Sequence, residues 1–162
     1  MRAVPYGAGA LGTRWLTSTF RAAKPVATVA LAPERQLRFV VDDRSTFHTP
    51  IGSDEKTGTH VIGVWDVTNI SDRAFVLLKV KLGGHASKSA TVGVESSRDP
   101  SWVVKGPLRA HRMSRVRIEL AFTPAIHVPG EDLIVDVIFT DNYEGEHRVL
   151  GVRFPRFTPR AS

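Results

Sequence analysis

The chain has 162 residues, 42% hydrophobic and 23% charged, with 13 glycines, 10 prolines and no cysteine. That length predicts one domain with tails at most. The composition excludes a collagen-like chain, a disulfide-stapled mini-protein and a wholly disordered polymer.

The net charge of +6 is concentrated at the two ends. Residues 1–34 carry Arg2, Arg14, Arg21 and Lys24 against Glu34, and residues 147–162 carry Arg148, Arg153, Arg156 and Arg160 with no acid. Residues 35–146 hold 14 basic and 15 acidic side chains, so the middle is close to neutral. The expected organisation is a basic N-terminal arm over 1–35, a β-sandwich domain over 36–157 and a basic C-terminal tail over 158–162.

In the arm, Arg14 interrupts the only apolar stretch, so no secretory signal is expected. No window approaches the ~18 apolar residues of a membrane-spanning helix. With no cysteine to mark an oxidising compartment, a cytoplasmic location is expected. Leu11, Trp15, Leu16 and Phe20 share part of one helical face, which makes an organelle transit peptide or a membrane-surface helix the alternative to a docking arm. Gly7, Gly9 and Gly12 satisfy G-x-G-x-x-G literally. That motif requires a preceding strand and a following helix, and neither is predicted, so nucleotide binding is rejected.

From residue 36 the pattern alternates with period two, the mark of half-buried strands. Gln36–Val41 places Leu37, Phe39 and Val41 on one face, and Asp42–Gly58 is read as one long loop. His60–Thr68 is apolar on both faces, with Val61, Trp65 and Val67 on one and Ile62 and Val64 on the other. Such a strand is central or covered. Asn69–Asp72 is a turn, and Arg73–Leu82 should turn Ala74, Val76, Leu78, Val80 and Leu82 inward. Ser89–Val94 and Trp102–Lys105 are shorter strands. Met113–Phe122 alternates most cleanly, with Val116, Ile118, Leu120 and Phe122 inward and Arg115, Arg117 and Glu119 outward. Asp132–Thr140 and His147–Phe154 form a hairpin, the second with Leu150, Val152 and Phe154 on one face.

About eight short strands without helices between them point to an all-β, two-sheet antiparallel sandwich of about seven to nine strands. The order of Val67-Thr68-Asn69-Ile70-Ser71, a lysine-bearing strand, the amphipathic Ser114–Phe122 and the final TDNYEGEHRV hairpin resembles immunoglobulin-like or fibronectin type III-like domains. The resemblance covers 36–157. It implies an immunoglobulin-like sandwich in which Trp65 would be the inter-sheet core tryptophan.

Catalytic chemistry finds little support. There is no G-x-S-x-G and no H-E-x-x-H. The six histidines fall in loops or near strand ends, where they are expected at the surface. Asp54, Glu55 and His60, with Asp42, Asp43 and His48 nearby, form the closest metal-like grouping, but polar loops accumulate such residues without binding a metal. No catalytic residue, metal ligand or cofactor is therefore assigned, and no small-molecule substrate is indicated.

The expected function is a non-enzymatic protein-binding or assembly module of a larger complex. Its partner would be a protein or a second copy of the chain. The candidate partner-binding residues are Arg14, Trp15, Phe20, Arg21, Lys79, Lys81, Arg115, Arg117, Arg156 and Phe157. Aromatic and arginine side chains commonly dominate interfaces. One alternative is nucleic-acid association through the tails and an Arg115/Arg117 face, joined by Lys79 and Lys81 if their strands share a sheet. A membrane surface is an alternative partner for the arm. A metal-dependent or hydrolytic enzyme using the histidine-bearing loops is the third reading.

Overall fold

A computed structural model describes residues 36–158. The domain is all-β, with ten antiparallel strands in two sheets. The strands are β1 (Leu37–Val41), β2 (Phe47–Pro50), β3 (Thr59–Asn69), β4 (Phe75–Leu82), β5 (Ser89–Glu95), β6 (Trp102–Val104), β7 (Pro107–Leu108), β8 (Met113–Phe122), β9 (Leu133–Asp141) and β10 (Glu146–Phe154). The first sheet has six strands in the order β1-β3-β8-β5-β6, with β2 also on β3, and the second runs β10-β9-β4-β7. This bears out the expected sandwich.

β3 is the longest strand and organises the first sheet. One of its edges pairs with β8 along nearly its whole length. The other is shared end to end, by β1 over Trp65–Asn69 and by β2 over Thr59–Ile62. The predicted Asp42–Gly58 loop therefore contains a strand. The four residues of β2 are too few to show a period of their own.

The core lies between the sheets. From the first come Val61, Trp65, Val67, Val116, Ile118, Leu120 and Phe122; from the second, Phe75, Leu77, Leu82, Val137, Phe139 and Phe154. Phe139 meets Trp65 edge-on with ring centroids 5.5 Å apart and stacks on Phe39 at 4.9 Å. Gly63 points inward beside Trp65, where a β-carbon would lie 2.3 Å from the indole Cη2. The tryptophan fits because that residue has no side chain.

Two bulges change which residues face the core. In β4 the register slips between Leu77 and Lys79, so Phe75, Leu77, Val80 and Leu82 are buried while Ala74 and Leu78 are exposed. In β10 it slips between Val149 and Val152, at Gly151 with φ +58°, and Leu150 becomes 70% exposed. A strand that gains one residue turns its subsequent side chains to the opposite face. The inward assignments of Ala74, Val76, Leu78 and Leu150 are corrected on this ground.

Candidate functional site

The outer face of the six-stranded sheet follows from the alternation of β8 and its neighbours. Val116, Ile118 and Leu120 enter the core, so Arg115, Arg117 and Glu119 stand outside. Register places Arg117 between Val64 of β3 and Gly93 of β5, and places Arg115 beside Asp66. A β-carbon on Gly93 would sit 3.3 Å from the Trp102 Cβ. Without one, Trp102 on the edge strand β6 comes close over the sheet, and the Arg117 guanidinium lies 5.8 Å from its ring centroid. That distance is within cation–π range.

These residues surround a groove of about 390 Å³. Phe47, Ile62 and Val64 supply its apolar side, Trp102 a wall, and Arg44, Arg115 and Arg117 its charge. A second groove of about 650 Å³ adjoins it through Arg115. Arg98, Arg109 and Arg112 line it together with Asp66 and Glu95.

Two internal acids steady the arginines. Arg115 pairs with Asp42 and reaches the Ser45 hydroxyl at 3.3 Å. Burial on its own would raise the Asp42 pKa. Hydrogen bonds donated by the Ser45 hydroxyl and the Arg44 backbone, together with the Arg115 charge, hold it below the ordinary carboxylate value instead. Arg117 pairs with Glu119. Both arginine Nε atoms are buried without a hydrogen-bond partner among the described residues.

Among the described predicted partner residues, Lys79, Lys81 and Arg156 do not line this groove, and Phe157 reaches it through Phe47. Lys79 and Lys81 lie on β4 in the other sheet and point to solvent on the opposite side of the sandwich, so no continuous patch joins them to Arg115 and Arg117. Arg156 pairs with Glu55, and its backbone forms a parallel bridge with His48. The Phe157 ring packs on Phe47 at 4.9 Å between centroids, and its N–H donates to the His48 carbonyl at 2.9 Å. Both side chains are thus engaged within the fold. Arg14, Trp15, Phe20 and Arg21 lie outside the described residues.

Three histidines expected at the surface are buried: His48, His127 and His147. His48 Nδ1 donates to the Phe154 carbonyl at 2.8 Å and its backbone N–H to Pro155 at 2.9 Å, so it ties β2 to the chain leaving β10. His127 touches its ring, with centroids 4.9 Å apart, and hydrogen-bonds Thr59 Oγ1 through Nδ1 at 2.7 Å. His147 Nε2 lies 2.7 Å from Asp141 Oδ2, and both side chains are almost wholly buried. His147 lies in phase with Val149, which packs on the core ahead of the β10 bulge, so the phase read from Leu150, Val152 and Phe154 placed it outside. His48 and His127 sit in short or irregular segments that carry no phase.

Among the described residues no group of three or more His, Asp or Glu side chains is arranged to hold a metal ion. The outer face brings apolar side chains, a tryptophan and several guanidinium groups together.

No protein-family model matches the chain, and no curated protein matches it. Among solved structures it is similar to a copper-bound PCuAC domain from PmoF2, with TM-score 0.46 and 13% identity over 76% of this chain and 94% of that one. It is also similar to the apo PmoF2 PCuAC domain, with TM-score 0.46 and 13% identity over 78% and 93%. The apo PCuAC domain from PmoF1 gives TM-score 0.42 and 13% identity over 76% and 95%.

Proposed function

We propose that this chain is a non-enzymatic binding module, of immunoglobulin-like type, that docks a protein partner on the outer face of its six-stranded sheet. The observation that carries the reading is the groove between Trp102 and the Phe47, Ile62 and Val64 side chains, rimmed by Arg44, Arg115 and Arg117. Interfaces favour tryptophan and arginine around an apolar centre. The non-enzymatic part is supported by the position of the Asp141–His147 pair. Its side chains are 0% and 2% exposed, so no substrate reaches this acid–imidazole couple without unfolding.

A photo-crosslinking residue placed at Val104 or Met113, both exposed, tests the reading when compared with one at Lys81 on the opposite sheet. The expected result is crosslinking to one protein species from the first two positions, lost in Trp102→Ala, and none from Lys81. Equal crosslinking from both faces, or crosslinks indifferent to Trp102→Ala, would overturn it.

A further inference from the structure

Resting on that reading, we infer that the groove takes an acidic, extended polypeptide segment. One aliphatic side chain of that segment seats against Phe47, Ile62 and Val64, and its flanking carboxylates reach Arg117 on one side and Arg44 and Arg115 on the other.

Charge complementarity carries this inference. Among the described residues three arginines line the groove and no acid does. The nearby acids Asp42 and Glu119 are already engaged, with Arg115 and Arg117 respectively. A guanidinium has five N–H donors and no acceptor, so one internal carboxylate leaves capacity on each side chain. Carboxylates match the guanidinium fork in plane and spacing.

The apolar side of the groove selects the rest of the ligand. Phe47 and Ile62 are half-buried and offer area to a hydrocarbon side chain, over a floor formed by the buried Val64. Both aromatic rings of the groove are already engaged, Trp102 by Arg117 and Phe47 by Phe157, whereas single-stranded nucleic acid needs free aromatic faces on which to stack. A polypeptide that alternates apolar and acidic contacts satisfies both requirements.

The test titrates the full chain with a blocked nonapeptide carrying a central leucine with two glutamates on either side, followed by calorimetry. Saturable binding is expected, weakening with added salt. Arg117→Gln should weaken it about tenfold, the usual effect of losing a charge-assisted hydrogen bond. Replacing the glutamates by lysine should abolish it, and replacing the leucine by serine should weaken it. Arg117→Gln leaves the Asp42–Arg115 pair intact, so a folded variant is available, and circular dichroism verifies this. Absence of binding, or binding indifferent to the lysine peptide or to Arg117→Gln, overturns the inference. So does an oligouridine that binds more tightly than the peptide and with the same dependence on Arg117. If face-specific crosslinking persists while the peptide fails, the docking face stands and the acidic-segment inference falls.

Discussion

Gly63 and Trp65 lie two residues apart on β3 and point into the same core, and the indole occupies the space a side chain at Gly63 would fill. The Gly63→Ala substitution adds one methyl group 2.3 Å from Trp65 Cη2, with Phe154 Cε1 a further 3.1 Å neighbour. Overpacking of this kind costs about 1–3 kcal/mol. Urea unfolding should show a lower midpoint with an unchanged slope. A midpoint equal to wild type would show that the indole moves aside freely.

Asp141 should make the fold acid-sensitive. Burial alone would raise its pKa. The hydrogen bond with His147 and the N–H groups of Tyr143 and Gly145, at 2.7 and 3.0 Å, lower it instead. A carboxyl whose folded pKa is depressed contributes stability above its unfolded value of about 3.9 and loses it as pH falls through the folded value. Wild-type stability should therefore decline below about pH 4. Asp141→Asn should be less stable near neutrality by about 1–3 kcal/mol, the cost of mispairing a buried polar group. Its acid slope should be shallower. Parallel slopes for the two proteins in urea unfolding at pH 6 and pH 3 would contradict this assignment.

His127 acts at higher pH. Burial lowers its pKa, and the neighbouring His48 lowers it further. The unfolded chain therefore binds a proton below about pH 6.5 that the folded chain refuses. This group costs stability as pH falls from about 6.5 toward the folded pKa, and costs nothing well above pH 6.5. His127→Gln should reduce the loss of stability between pH 7.5 and 5.5. Direct observation of the His127 ring by NMR checks the same point, since a midpoint at or above the ordinary histidine value would refute it.

The β10 bulge separates two residues that simple alternation treats alike. Leu150 is 70% exposed and Val152 is 3% exposed. Leu150→Glu should change stability by less than about 0.5 kcal/mol, as surface substitutions do. Val152→Ala removes two buried methyl groups and should cost about 2 kcal/mol. Comparable losses in thermal unfolding would mean that the strand continues without the slip.

Much of the sandwich was legible in the chain because period-two alternation is a local property. Met113–Phe122, Leu133–Phe139 and Val61–Val67 each carry their facing in their own residues, and the structure keeps it. The outward position of Arg115 and Arg117 follows from the same pattern. So does the location of Trp65, although the need for Gly63 beside it appears only when the indole is placed.

Sequence alone determined which residues a strand can bury, since hydrophobic spacing must match the pleat. Tertiary structure decided which strands are neighbours and where a strand slips by one residue. Strand order set Lys79 and Lys81 on the opposite side from Arg115 and Arg117, a separation that depends on backbone pairing between distant segments. It also brought Phe47, Trp102 and Arg117 around one groove and buried His48 against His127, because those contacts join segments whose own patterns do not refer to one another.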